Sequence, residues 1–302
     1  MNYYPEGKCK LLNRKFESIE EAEEAMERSM ILEGRVILCD SDHNLHLDIG
    51  AISGVIPRCE GAIGIAENTT RDIALISKVN KFVCYKIIGF SKDINGEKTA
   101  ILSRRAVQEE CMKNYISTLS QGDIIDAAVT HLERFGAFID IGAGINALIP
   151  IDMLSVSRIN HPKERLSQGQ KIKTVLRKIE EQKLTFSLKE LLGTWEENAS
   201  VFSPGETVTG VIRSVESYGV FVELAPNLAG LAELQDGLFV GEQVAVFIKS
   251  ILPEKMKIKL VIVETFGNEE SPSPLTYHYK EKHINRWSYS PPGALKQIET
   301  VF

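Results

Sequence analysis

Phe135 and Phe138 stand three residues apart in Glu133-Arg134-Phe135-Gly136-Ala137-Phe138, and Arg134, Arg177, Lys178 and Lys183 bring cations to the same region. Aromatic faces beside cations can hold flat, negatively charged ligands. Each stacked base contributes about 1–3 kcal/mol by truncation, and the cations steer phosphates. Residues three apart on a regular strand point to opposite faces. Gly136 permits a bulge or bend that would bring both rings to one side. The alternative for either ring is packing in a core.

Other chemistry finds little support. Gly142-Ala143-Gly144-Ile145-Asn146-Ala147 fits a dinucleotide-binding fingerprint, but Pro150 arrives where a helix should run. The sequence has no HExxH, P-loop or GxSxG motif. His131, His161, His278 and His283 lack ligand spacing, and the carboxylates are scattered. The five cysteines, Cys9, Cys39, Cys59, Cys84 and Cys111, include no CxxC pair and read as reduced thiols. The expectation is therefore a non-catalytic chain with no metal site and no small-molecule cofactor.

The elements that must position the aromatics are strands. Ile125, Ala127 and Val129 alternate with polar or small neighbours, and Glu133-Arg134 makes a polar turn. From Phe138 the period is two: Ile139 and Ile141 face one way, Phe138 and Asp140 the other. Gly142 to Gly144 breaks the strand and Asn146 to Ile149 restarts it. Lys171 to Arg177 and Leu184 to Ser187 supply two more strands, with Glu181-Gln182 near their turn. Five short strands in about 70 residues imply a small closed barrel of the OB type.

The order of these pieces resembles the S1 RNA-binding domain of bacterial ribosomal protein S1. The matching residues are Gly122-Asp123, Phe135-Gly136-Ala137-Phe138, Asp140-Ile141-Gly142, Leu148-Ile149-Pro150, Gly169-Gln170 and Phe186-Ser187-Leu188-Lys189. The resemblance implies single-stranded RNA held across the barrel face by the two aromatics. A histidine that many members carry on the next strand is replaced here by Pro150.

Two weaker copies flank this domain, and their repetition supports the reading. In Gly34 to Arg105, Leu47 and Ile49 match Ile139 and Ile141. His43 and His46 then fall at the aromatic positions, either as modest stacking surfaces or as exposed histidines of a structural barrel. Asp93 to Gly96 reads as its hairpin turn. In Gly205 to Val263, Tyr218, Phe221 and Glu223 take the places of Phe135, Phe138 and Asp140. Glu233 replaces the family histidine and would repel phosphate, and few basic residues are evident.

The expected fold is mainly β: three tandem five-stranded OB-type (S1) barrels with an N-terminal helix, a linker helix and a C-terminal extension. The divisions are an N-terminal helical extension (1–30), a degenerate S1 domain (31–105), a linker helix (106–119), an S1 domain (120–192), a shortened S1 domain (203–264) and an extension (265–302). In the first, Ser18 and Glu21 form a capping box before the stripe Ile19, Ala22, Met26 and Met30. In the linker, Val107, Cys111, Tyr115 and Leu119 share a face. In the extension, a turn-rich run from Gly267 to Pro274 precedes Tyr277, Tyr279, Trp287 and Tyr289, then a helix-like stripe of Leu295, Ile298 and Val301. This tail should cover apolar surface near Leu231, Leu234 and Leu238, with Trp287 buried.

Nothing at Met1 to Lys10 resembles a signal peptide, and no apolar run approaches the roughly 18 residues of a span. A cytoplasmic location and no membrane partner are expected. The resemblance implies a single-stranded RNA or mRNA partner and a role in translation at the small ribosomal subunit. The net charge of −6 is unusual for a nucleic-acid binder and predicts a shallow salt dependence. It keeps open an adaptor whose first and third barrels bind protein, or a regulator of RNA turnover. A processing enzyme is disfavoured, because barrels fill the chain.

Overall fold

The computed structural model describes residues 3–92, 98–180, 183–268 and 274–302. The expected turns at Asp93–Gly96 and Glu181-Gln182, and most of the Gly267–Pro274 run, lie outside them. The chain divides into two compact units. Met1–Leu119 with Asp140–Asn146 form one, and Ser120–Ile139 with Ala147–Phe302 the other.

The first α-helix of the first unit is α1 (Ile19–Glu27). Its start follows the sequence: Ser18 Oγ accepts from the Glu21 N–H at 3.3 Å. The Glu21 carboxylate accepts from Glu17 N at 3.0 Å, one residue earlier than a standard capping box. Ala22 and Ala25 are buried, and Ile19, Met26 and Met30 pack on the barrel core. That barrel comprises β1 (Leu32–Cys39), β2 (Leu45–Asp48), β3 (Ser53–Ile56), β4 (Phe82–Lys92) and β5 (Lys98–Ser103), with α2 (Ile73–Ile76) between β3 and β4. The order is β1-β2-β3-β5-β4, closed. Only β3 and β5 pair in parallel. Leu45, Leu47 and Ile49 fill the interior while His46 and Asp48 face outward, as period two requires. α3 (Arg104–Asn114) follows at once and buries Val107 and Cys111. It starts earlier than expected because Ser103 Oγ caps the Ala106 N–H at 2.9 Å. A 3-10 turn over Ile116–Thr118 replaces its expected last turn.

A buried ionic cluster lies in this unit. Glu6 accepts from Arg104 at 2.6 Å and from Lys78 at 2.8 Å. Its burial opposes charge, yet the two cations hold its carboxyl well below the usual range. Asp140 accepts from the N–H groups of Glu6 (2.8 Å), Gly142 (2.9 Å) and Gly144 (3.1 Å). Asp140 therefore does not share an exposed face with Phe138, as the alternation suggested. It is 3 % exposed and fastens the 142–144 turn, which no sequence period reveals. Burial, reinforced by Glu6, pushes it up to about 6.

Glu33 accepts from Gly7 N at 3.0 Å, and burial beside Glu6 and Asp140 pushes it up to about 7. In an unfolded chain it ionises near 4.5. A raised acid supports folding fully below the unfolded value, and the support is lost as pH rises through the folded one. Glu33→Gln keeps an acceptor for Gly7 and removes that loss. Its denaturant midpoint should exceed that of the parent chain at pH 8 by about 1–2 kcal/mol, discounted for screening. The advantage should vanish near pH 4.5, and a constant difference across this range would exclude Glu33 titration as its source.

The second unit, apart from Asp140 and Asn146 at the ends of β7 and β8, holds two barrels of the same topology. One comprises β6 (Ile124–Glu133), β7 (Gly136–Asp140), β8 (Asn146–Pro150), β9 (Lys171–Glu180) and β10 (Lys183–Ser187). A helical turn α4 (Trp195–Ala199) follows, between the two expected domains. Its signal was present in Thr194-x-x-Glu197, and both capping bonds form. The last barrel comprises β11 (Thr207–Glu216), β12 (Gly219–Ala225), β13 (Leu228–Ala232), β14 (Glu242–Leu252) and β15 (Lys257–Asn268). Val220, Val222, Val244, Val246, Ile248, Ile258 and Leu260 fill it.

The tail differs from expectation in form. Leu295, Ile298 and Val301 are not a helical stripe: β16 (Arg286–Ser288) pairs with β17 (Glu299–Val301) as a two-stranded sheet. Leu295 is 83 % exposed. Pro291-Pro292-Gly293, just before the stripe, favours a turn over a helix start with free amides. Trp287 is 5 % exposed, in one core cluster with Trp195, Ile284, Tyr289 and the third barrel's interior. Of the apolar residues the tail was expected to cover, Leu234 remains half exposed, while Leu238 packs against the same core cluster as Trp287 and Tyr289. It bonds the second barrel as well, through His283 to Asp123 (2.7 Å) and Tyr277 Oη to Lys173 N (3.0 Å).

Candidate nucleic-acid interface

The two aromatic pairs are built alike. Arg134-Phe135 forms the turn between β6 and β7, and Ser217-Tyr218 the turn between β11 and β12. The first aromatic of each pair therefore precedes its strand. Both rings lie on the outside. Each following glycine is required by close approach. A Cβ on Gly136 would lie 2.4 Å from Ile149 O, and one on Gly219 2.6 Å from Ala232 O. Ile151 N donates to Phe135 O at 2.9 Å and fixes the turn.

Phe135 is 57 % exposed and Phe138 half-buried; their centroids lie 5.9 Å apart with planes at 90°. Tyr218, 68 % exposed, and Phe221 repeat this at 6.1 Å and 87°. Both pairs thus lie at the surface rather than in a core. Parallel stacked bases need parallel ring planes. Perpendicular rings instead suit bases splayed apart, which an unpaired strand can supply and a duplex cannot.

The expected cations fare unequally. Arg134 is exposed in the turn beside Phe135, and Lys183 is exposed at the start of β10. Lys178 lies opposite Thr185, which pairs with Leu148 on β8, so it stays on the outer surface. It is paired with Glu180 at 2.5 Å. Arg177 is a correction: Nη1 donates to Val301 O at 3.0 Å and the guanidinium lies 5.5 Å from the Phe302 ring. It anchors the tail, and no local sequence signal joins residues so far apart.

Glu223 is a second correction. It is buried between Arg213, in a bidentate pair at 3.1 Å, and Arg165. Arg213 also reaches Glu164 at 3.0 Å.

In the first barrel His43 sits at φ 62° in the turn, and His46 Nε2 lies 2.9 Å from Asp40 Oδ2. The His46 ring and the Asn44 and Asp42 amides hold Asp40 down at about 2. The row through His46 is Leu38, His46, Val55, Ile101 and Gly89, apolar apart from that histidine. A groove of about 370 Å³ beside it is lined by Ile37, Leu38, His46 and Ile52 among others.

Among the described residues, no group of three His, Cys, Asp or Glu side chains could hold a metal ion, and no helix is long and apolar enough to cross a membrane.

Three antiparallel-rich barrels with a parallel β3–β5-type closure, two of them with surface aromatic pairs, define a protein of tandem OB-type domains. Residues 118–189 match the family model described as S1 RNA binding domain. In sequence the chain is similar to bacterial small ribosomal subunit proteins bS1. It is 34 % identical over 188 residues to the Staphylococcus aureus (strain COL) small ribosomal subunit protein bS1, covering 56 % of this chain and 48 % of that protein. It is 29 % identical over 240 residues to the bS1 homolog of Bacillus cereus (strain ATCC 10987), covering 74 % and 60 %. The chain spans about half the length of the Staphylococcus relatives it matches.

Proposed function

We propose that this protein binds single-stranded RNA, mRNA included, without catalysis, through tandem S1-type barrels, and acts in translation at the small ribosomal subunit in the cytoplasm. The carrying observation is the surface pair Phe135 and Phe138, set edge to face inside the segment that matches the S1 family. Bases splay onto the two rings, while Arg134 and Lys183 meet the backbone. Tyr218 and Phe221 form a second such pair. Tandem sites on one chain raise the effective concentration of each for the same strand. The functional division follows the barrels: 31–105, 120–192 and 203–264, with helical segments at 1–30 and 106–119 and the tail from 265 as supports.

An adaptor role is favoured for the first barrel alone. Its outer row is aliphatic apart from His46, and that ring is tied to Asp40. The test uses the full chain and a fluorescent oligouridylate. Phe135→Ala with Phe138→Ala should weaken binding by about 2–4 kcal/mol. His43→Ala with His46→Ala, the control, should leave it within about twofold. Unchanged affinity in a folded Phe135/Phe138 double variant sinks the proposal.

A further inference from the structure

The strand ladder of the third barrel carries a continuous outer row. Ser214 lies opposite Phe221, Phe221 opposite Leu231, Leu231 opposite Lys259, and Lys259 opposite Ser250. The row runs across β11, β12, β13, β15 and β14. Ile258, Leu260 and Ile262 on β15 are buried, so Lys257, Lys259 and Val261 face outward. Neighbouring strands are about 4.8 Å apart. Lys259 therefore stands two strands, about 10 Å, from the backbone of Phe221, and its long side chain brings the ammonium closer. It is exposed, as are Lys249 and Lys257, and none of the three makes an ion pair among the described residues.

The second barrel offers a comparison. There Lys178 stands one strand farther from the aromatics, on β9 opposite Thr185, and is already paired with Glu180. The corresponding row of the first barrel ends in Ile101 and Gly89 and has no cation. The acidic groups that argued against the third barrel also lose weight. Glu223 is neutralised in the buried arginine cluster. Glu233 follows β13 beyond Leu231, so on this parallel pairing it is displaced from Lys259 in the direction of Val261.

We propose that Lys259 is the phosphate-contacting residue of a second single-stranded RNA face, in which Tyr218 and Phe221 hold splayed bases and Lys249 and Lys257 flank the backbone track. This rests on the reading that the paired aromatics bind RNA, and it makes the third barrel a full contact rather than a spacer.

The experiment uses the full chain and the same oligouridylate. Lys259→Glu should weaken binding about five- to tenfold, and the slope of log affinity against log salt should fall by about 0.7, one single-strand phosphate contact. Lys259→Arg should stay within about twofold. As a measurement on the unaltered chain, a 4-thiouridine 12-mer should crosslink to Tyr218 or Phe221. Unchanged affinity and slope in Lys259→Glu, or crosslinks confined to the second barrel, overturn the inference. If that occurs while Phe135→Ala with Phe138→Ala still loses binding, the general reading survives. If neither variant loses affinity, both fall.

Discussion

Glu223→Gln should destabilise the second unit by about 3–5 kcal/mol, the cost of leaving a buried charge uncompensated. Glu223 is 6 % exposed and is the carboxylate against which Arg165 and Arg213 are both neutralised. Without its charge, Arg213 keeps Glu164. Among the described residues Arg165 then keeps neutral acceptors, Ser155 Oγ at 3.2 Å and Glu164 O at 3.4 Å. The loss therefore falls mainly on Arg165, toward the lower end of the range. Arg165 comes from the connection between β8 and β9, and Glu223 from β12, so the cluster ties the second barrel to the third. Both tryptophans of the chain, Trp195 and Trp287, lie in the third barrel's core cluster, so fluorescence-detected denaturation reports this region. Replacing Arg165, Arg213 and Glu223 together by Met or Leu should recover most of the loss, since an apolar cluster of similar volume needs no compensating charge. A Glu223→Gln midpoint within about 0.5 kcal/mol of the parent would show that these charges remain solvated.

The sequence revealed what depends on local period and punctuation. Alternation at Leu47 and Ile49 and at Ile139 and Ile141 marked strands that do bury those residues. The repeat of turn, aromatic, glycine and strand marked both surface pairs. What it could not reveal depends on partners distant in the chain. Asp140 and Glu223 read as outward by alternation, yet each is drawn inward by groups more than 50 residues away, Glu6 for one and Arg165 for the other. Arg177 reads as a free cation until Val301 and Phe302 are brought to it. Lys259 was legible by period two in Lys257 to Val263, since outward lysines alternate there with buried Ile258, Leu260 and Ile262.

Trp287→Ala should cost about 3–5 kcal/mol, the range for truncating a large buried aromatic, and should do so without comparable loss of RNA affinity at Phe135 and Phe138. The ring lies at a centroid distance of 5.6 Å from Tyr289. Tyr289 is itself held on both sides: its O–H donates to Asn227 O at 2.6 Å, and its carbonyl accepts from Trp195 N at 3.0 Å. Asn227 in turn donates to Lys189 O at 2.7 Å and Gly193 O at 2.8 Å. Removing the indole thus leaves a cavity beside a connected set of bonds rather than under a loose flap. Trp287→Phe should cost much less, because the indole N–H has no partner among the described residues and its loss leaves no acceptor unsatisfied. Deleting residues 275–302 removes Ile284 and Tyr289 too and should exceed the single change. It also removes Tyr277 and His283 from Lys173 and Asp123, so some loss should reach the second barrel, which tryptophan fluorescence will not see. Amide exchange at β6 and β9 can detect it. A deletion that melts with the full chain by both measurements would mean that the third barrel closes its core without the tail.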